Sequence, residues 1–305
     1  MEDEIEILPV TLLEGERSTV ADLQRMAGRM KLEFGWHYLL DLTWIIRQLE
    51  DVVGKSMIDA GAGTGILQWY LANQGAKVFS VDRESRARLP RRFRRHFKVE
   101  GLREEDLARE NVLVGGIAGI KQSSIKKTVS ELIDVIQTSA IQQPDRRDAD
   151  GIGQVIIYNQ DLGNLVDIPA NSVDAIVAVS SLEHNSPDGL EQVVTELMRV
   201  LKPGCAMYAT LGAARDNDWF HAPSKGWCYS EGTLRNIFNL SPVTKSNYDQ
   251  YDHLFEALQK NKELQENLAA FYFNSGDNGM PWGNWDPQYQ PVGVRKIKRE
   301  KLIGQ

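Results

Sequence analysis

Residues 57–65 read MIDAGAGTG, a short apolar run, an acid, and glycines at positions 61, 63 and 65. Glycines at alternate positions let a chain turn sharply and bring bare backbone against a ligand. The next stretch fits a helix from about Ile66 to Asn73, stopped by Gly75, and then a strand from Val78 to Val81. Strand, glycine loop, helix and strand form the unit from which parallel sheets are wound. The loop then lies at the carboxyl end of its strand, near the topological switch point where such sheets hold ligands.

The alternation continues. Residues 155–160 (VIIYNQ), 174–179 (DAIVAV) and 206–211 (AMYATL) read as strands. The last two are joined by a helix carrying Leu190, Val193, Leu197, Val200 and Leu201, with Pro203 and Gly204 as its stop. Upstream of the loop, Val20, Leu23, Met26 and Met30, and then Leu39, Leu42, Ile46 and Leu49, mark two helices separated by Gly35. The segment PVGVRKIK fits a closing edge strand, and YDQYDHLFEALQKNKELQENLAAFYF is helical by period. The expected fold is α/β, a doubly wound, mostly parallel seven-stranded sheet. Residues 1–54 form a helical N-terminal cap, and 55–305 the ligand-binding domain with additions at about 84–154 and about 212–290. In the first addition Ile125, Val129, Leu132, Ile133 and Ile136 form a helical stripe, most simply a packing face.

Composition narrows the class. No run of eighteen apolar residues occurs, and the N-terminus, MEDEIEILPV, is acidic where a secretory signal would be basic and then hydrophobic. A soluble, cytoplasmic protein without membrane insertion is expected. The only two cysteines, Cys205 and Cys228, form no C-x-x-C pair and read as reduced thiols. A formal charge of -7 counts against nucleic acid as a partner. Nothing in the sequence sets the oligomeric state.

The loop chemistry selects among ligands. A dinucleotide fingerprint needs a third glycine where Ile66 or Gln68 stands, and a phosphate-cradling P-loop needs a lysine that is absent. Nicotinamide and ATP chemistry are thereby disfavoured. Asp59, directly before the loop, would repel a pyrophosphate and attract an ammonium. Asp82, ending the second strand, is placed to accept from two ribose hydroxyls, and Asp161, after the third, from an adenine amino group. The pattern describes an adenosine-like ligand that carries an ammonium and no phosphate.

These residues resemble the class I S-adenosylmethionine-dependent methyltransferases, whose first motif is an acid followed by G-x-G-x-G. DAGAGTG matches it, and VFSVDRE, YNQDLGNL, SVDAIVAVSSLEHN and ELMRVLKPGCAMYAT continue the resemblance in order over roughly residues 55–211. The resemblance implies S-adenosylmethionine as cofactor. Gly61, Gly63 and Gly65, with Ala62 between them, would line its methionine and ribose portion. Asp82 would bind the ribose hydroxyls, Asp161 with Leu162 would address adenine, and Ser180 would lie beside the sulfonium. Asp59 and Arg83 complete the set. Trp36 and Tyr38 precede the domain where relatives cover the cofactor with an N-terminal helix, so Tyr38 joins the set as part of a lid. The chain departs from the family in the long stretch between second and third strands, where one helix is usual.

Methyl transfer to an alcohol needs a base as well as alignment. By position in the resemblance His184 is a candidate, with Glu183 beside it, and each could equally brace the loop. His37 and His221 are alternatives that could simply be packed among aromatics. Trp219, Phe220, Trp227, Tyr229, Trp282, Trp285 and Tyr289 could wall an acceptor pocket or anchor long loops. The run RESRARLPRRFRRHFK, with seven arginines, reads as a solvated helix face or as a site for a phosphorylated or nucleotide-linked acceptor. No histidine and carboxylate spacing makes a metal site. The expected activity is methyl transfer from S-adenosylmethionine to a small-molecule acceptor, best an oxygen of a sugar or related metabolite. A protein or RNA methyltransferase and a non-catalytic scaffold on the same fold are the rivals.

Overall fold

A computed structural model of the chain describes residues 1–32, 35–86, 89–107, 152–271 and 284–300. The stripe from Ile125 to Ile136 and Trp282 lie outside these residues.

In chain order, β1 (Glu4–Ile7) leads into α1 (Leu12–Gly15), α2 (Arg17–Met30) and α3 (Tyr38–Gln48). Then come β2 (Ser56–Ala60), α4 (Leu67–Asn73), β3 (Lys77–Asp82), α5 (Arg91–His96) and β4 (Lys98–Gly101). The second half holds β5 (Gln154–Asn159), β6 (Val173–Val179), α6 (Pro187–Val200), β7 (Leu201–Ala213), β8 (Trp219–His221) and β9 (Gly226–Tyr229). It closes with α7 (Glu231–Ile237), α8 (Tyr251–Gln259), α9 (Lys262–Phe271) and β10 (Gln290–Ile297).

All ten strands join one sheet, ordered β1-β10-β7-β6-β2-β3-β5-β4, with β9 attached to β7 and β8 to β9. From β4 to β7 the neighbours run parallel, while β10 is antiparallel to β7 and β1 to β10. Helices cover both faces. Met57 of β2 points into the core beneath α1 to α5, and Ile58 and Ala60 point into the core beneath α6 and α7. Burial on both sides is why the central strands are apolar almost throughout rather than alternating.

The expected α/β class holds, with ten strands where seven were expected. One addition is β1, in a segment expected to be wholly helical. Its sequence EIEI alternates, with Ile5 and Ile7 buried, the two-residue period of a strand. It pairs outside β10, Glu4 opposite Arg295, and Glu4 Oε2 accepts from the Arg295 guanidinium at 3.1 Å. The segment expected to close the sheet as an edge strand is therefore interior. The hairpin of β8 and β9 is another addition, set on the end of β7.

Helix α6 begins as its sequence dictates, with Ser186 Oγ accepting from Gly189 N at 3.3 Å and Pro187 in the first turn. It ends at Val200, ahead of the expected stop at Pro203. Leu201 is already extended and pairs with Val173, after which the register jumps to Ala206 opposite Ala175. The intervening Lys-Pro-Gly-Cys segment bulges out of the ladder, and Gly204 supplies its left-handed turn at φ +79.

Helix α3 is seated by one close approach. A Cβ on Gly293 of β10 would fall 2.6 Å from the Trp44 ring, so only glycine lets the indole lie on the strand. Trp44 Nε1 then donates to Glu6 Oε2 at 2.7 Å. This fixes the start of α3, with His37 just before it, against β10 and β1.

Candidate active site

The glycine loop follows β2 at the point where the chain order reverses, between β3 on one side and β6 on the other. Gly61 and Gly63 are left-handed, at φ +70 and +47. The amides of Gly61 and Ala62 both donate to Val81 O, at 2.9 and 3.0 Å, and Gly65 N donates to Ala62 O at 2.8 Å. Gly63 N donates to Asp82 Oδ2 at 2.8 Å, and the other Asp82 oxygen accepts from Glu84 N at 2.9 Å. One carboxylate thus holds the loop and the turn after β3 together.

Beneath the loop lies a buried polar chain. Gln68 Nε2 reaches the carbonyls of Ala62, Gly63 and Gly65 at 3.3, 3.4 and 3.0 Å, and its Oε1 accepts from the Ser80 hydroxyl at 2.6 Å. Arg86 donates to that hydroxyl, to Ser80 O at 2.8 Å and to Tyr158 O at 3.0 Å. Its Nε donates to Asn159 Oδ1 at 3.3 Å. Asn159 continues the chain, its Nδ2 donating to Asp106 O at 2.7 Å, and Arg103 pairs with Asp106 at 2.9 Å. Burial lowers the Arg86 pKa, against the raising effect of Asp82, Asp59 and Asp106. Asp59, also buried, is pushed up to about 7 by its burial. Arg86 and a backbone hydrogen bond from Gln68 oppose the rise, and Asp82 adds to it.

Only 4% of Arg86 is exposed, so the arginine run does not make one anionic-ligand site. Arg92 Nε donates to Met30 O at 2.8 Å. Arg94 and Arg95 point to solvent because Phe93 turns the other way and stacks on Trp69 at 4.5 Å. Arg83 lies 3.8 Å from Asp161. Asp161 is exposed and accepts from Gly163 N at 2.8 Å, with half-buried Leu162 between them.

Across the switch point, β6 ends at Ser180, itself left-handed at φ +45, whose amide donates to Thr210 O at 3.1 Å. The Ser180 hydroxyl donates to Glu183 Oε1. Ser181 Oγ donates to Ala60 O at 2.6 Å, tying this loop to the end of β2. Glu183 is 4% exposed, and its Oε2 has no hydrogen-bond partner among the described residues. Burial raises its pKa, opposed by His37, Ser180 and His184. His184 is exposed, with Nδ1 donating to the Lys225 carbonyl at 3.1 Å. The two candidates for proton chemistry are thus separated, one inside and one outside.

The third part comes from the ends of the chain. His37 places Nδ1 2.5 Å from Asp41 Oδ2 and Nε2 3.2 Å from the Tyr289 hydroxyl. Burial works against its charge, yet Asp41 and Glu183 prevail and its pKa is raised. Trp36 meets His37 edge-on at 4.7 Å, Tyr289 at 5.3 Å and Trp285 at 5.9 Å. Half-buried Tyr38 stands 5.3 Å from His37, ring to ring. His221 contacts Tyr289 at 5.1 Å and Ser224 Oγ at 2.7 Å, and burial lowers its pKa. The aromatic residues of the tail divide. Trp219 and Phe220 are exposed, Tyr289 is buried at this cluster, and Tyr229 is core, its hydroxyl donating to Asn185 O at 2.7 Å.

Asp59, the glycines, Ala62 and Asp82 therefore lie together, with Ser180 and Glu183 facing them through Ser181. Gln68 and the pairing of His37 with Asp41 escaped sequence reasoning. The second carries a signal, because H-x-x-x-D at the start of a helix places both on one face. Gln68, a polar residue between Leu67 and Trp69 in an apolar stretch, is the weaker clue. Among the described residues no group of His, Cys, Asp and Glu could hold a metal ion.

The loop suits an adenosyl amino acid. A Cβ on Gly63 would have only Asp82 Oδ2, at 3.8 Å, within 4 Å, so the missing side chain keeps the space beside that carboxylate open. The loop offers no basic group, and Asp59 lies buried under it.

Residues 114–209 match the family model described as a methyltransferase domain. No curated protein matches the chain. Among solved structures, the chain is similar to a phosphoethanolamine N-methyltransferase of Haemonchus contortus. The identity is 13% over 95% of this chain and 59% of that one, with a TM-score of 0.47. A putative sarcosine dimethylglycine methyltransferase from Galdieria sulphuraria is 16% identical over 86% and 84% of the two chains, with a TM-score of 0.45. An S-adenosylmethionine-dependent methyltransferase from Methanosarcina mazei is 12% identical over 85% and 98%, with a TM-score of 0.43. The matched residues, about a third of the chain, take in β5, β6, α6 and most of β7, and mark this part as a methyltransferase domain. Among the described residues no helix is long and apolar enough to cross a membrane.

Proposed function

We propose that the chain transfers a methyl group from S-adenosylmethionine to a small molecule rich in hydroxyls, such as a sugar, and that Glu183 takes the proton from the hydroxyl that is methylated. The observation that carries this reading is the unpartnered, buried Oε2 of Glu183 beside Ser180. S-adenosylmethionine supplies a methyl group already activated on a sulfonium. The chain must align the acceptor, keep water out and receive one proton. Burial makes Glu183 a stronger base than an exposed carboxylate. Its Oε1 is committed to Ser180, which leaves Oε2 for the acceptor. Two other buried atoms also lack partners among the described residues, Trp36 Nε1, a donor, and Asp41 Oδ1, an acceptor. One donor with two acceptor oxygens suits a ligand whose hydroxyls both give and accept. His184 bonds a backbone carbonyl at the surface and in this proposal braces its loop.

For the cofactor we propose the loop from Gly61 to Gly65 and Asp59 on the methionine side, Asp82 at the ribose, and Asp161 with Leu162 at the adenine. Ser180 stands at the sulfonium, with Arg83 and Tyr38 at the rim. Methyl-labelled S-adenosylmethionine, offered with a panel of sugars, nucleotide sugars and amines, tests the acceptor class. Label is expected on the hydroxylated compounds, and label on amines alone would sink the reading. Glu183→Gln should lower turnover by about 100-fold or more while S-adenosylhomocysteine still binds. Full turnover in that variant would remove Glu183 from the chemistry.

A further inference from the structure

Glu183 rests against the β8–β9 hairpin. A Cβ on Gly226 would fall 3.1 Å from Glu183 Cγ and 3.8 Å from Glu183 Cβ, so the stem of Glu183 fills the place that a side chain at position 226 would take. The hairpin grips the rest of that turn as well. Lys225 O accepts from His184 Nδ1 at 3.1 Å, and the Tyr229 hydroxyl donates to Asn185 O at 2.7 Å.

Strand pairing decides what else points toward Glu183. His221 is the register partner of Gly226 across the antiparallel ladder, and Trp219 is the partner of Cys228. Directly opposed residues send their side chains to one face, about 4.5 to 5.5 Å apart at Cβ, and successive residues alternate. His221 and Trp219 therefore share the face on which Glu183 lies. Phe220 turns to the other face, where it meets Trp227 at 5.6 Å. The Trp219 and His221 rings meet edge-on at 5.5 Å, and Tyr289 closes on His221 at 5.1 Å. This face runs from solvent inward: Trp219 is 36% exposed, His221 5% and Glu183 4%.

Ser224 fixes which nitrogen of His221 can serve a ligand. Its hydroxyl donates to His221 O at 3.4 Å and lies 2.7 Å from Nδ1, so it accepts from an Nδ1 proton. Nε2 then carries a lone pair and no proton. Ser224 Oγ also lies 3.5 Å from that same Cβ position at Gly226, which keeps the imidazole beside the Glu183 stem.

We infer that this hairpin face binds the acceptor: the Trp219 indole takes the C–H face of a sugar ring, and His221 Nε2 accepts from a hydroxyl next to the one that Glu183 deprotonates. The inference rests on the role proposed for Glu183 and deepens it by naming what holds the acceptor. An aromatic surface with a few placed polar groups is the usual make-up of a small-molecule site. No bond forms or breaks at the hairpin, which contributes binding and orientation.

Steady-state transfer from methyl-labelled S-adenosylmethionine to whichever sugar or nucleotide sugar takes up label is the test. Trp219→Ala should raise KM for that compound about 5-fold or more, while Trp219→Phe, which keeps an aromatic face, should stay within about 2-fold of the parent. His221→Leu should raise the same KM about 5-fold or more through the lost hydrogen bond, and His221→Gln, which returns an acceptor near the place of Nε2, should recover most of it. In all four variants the affinity for S-adenosylhomocysteine should match the parent. An unmoved KM in Trp219→Ala, or a loss of S-adenosylhomocysteine affinity alongside the KM change, would overturn the inference. Trp219 is exposed, so its two variants decide the matter if His221→Leu fails to fold. If no hydroxylated compound takes up label, the reading of Glu183 falls and this inference with it. A labelled sugar whose KM ignores the variants is the failure of the inference alone.

Discussion

Ser181 stands where a side chain at position 61 would have to go: a Cβ on Gly61 falls 2.4 Å from Ser181 Cβ and 2.7 Å from its Oγ. The contact joins the loop after β2 to the loop after β6, so the two halves of the site are set by mutual exclusion as well as by the Ser181 bond to Ala60 O.

Gly61→Ala therefore meets two penalties. Left-handed backbone costs a non-glycine residue about 1 to 2 kcal/mol, and the overlap with Ser181 adds roughly 1 to 3 kcal/mol. Urea unfolding should report a loss on that scale, and affinity for S-adenosylhomocysteine should fall with it. Adding Ser181→Gly should restore only the steric part. Full restoration would mean that the backbone conformation at Gly61 is not the constraint.

Asp82 holds Gly63 N and Glu84 N with separate oxygens. Asp82→Ala removes two charge-assisted hydrogen bonds of about 1.5 to 3 kcal/mol each. Cofactor affinity, measured by calorimetry with S-adenosylhomocysteine, should drop by at least about 10-fold. Unchanged affinity would remove the ribose assignment.

Asp59 gives the fold a pH dependence of opposite sign to that of a salt-bridged acid. Burial lifts its pKa from 3.8 to about 7, so between those values the folded chain holds a proton that the unfolded chain has lost. Stability then falls as pH rises through that window and levels off above it. Between pH 5 and 7.5 this group should cost about 2 to 3 kcal/mol. Asp59→Asn should lose less stability than the parent over that interval in urea titrations, and parallel pH profiles would refute the burial argument.

Two arginines of one run should behave in opposite ways. Arg86→Met strands Ser80 O and Tyr158 O and takes a counter-charge from Asp59, at a cost of about 2 to 5 kcal/mol. Arg94→Ala, on the exposed face of α5, should stay within about 0.5 kcal/mol. Thermal unfolding of both variants separates them. Similar losses would mean that the run acts as a unit.

Much of this was legible in the sequence by itself. The glycine loop, the acids at strand ends and the apolar runs determined a doubly wound sheet and its switch point, because strand period, helix period and left-handed turns are local properties. The short β1 could be read from EIEI, but its place outside β10 could not, since pairing across nearly the whole chain has no local signature. The same limit governs the site. Arg86 and Arg94 differ by eight positions in a uniformly basic run, and only the packing of Phe93 on Trp69 and the turn after β3 sends one inward and the other outward. Glu183 and His184 are adjacent, yet the fold buries one and exposes the other. His37 meets Asp41 one helical turn away, but only tertiary structure brings Tyr289 to its other nitrogen, because burial and electrostatic coupling depend on distance in space rather than along the chain.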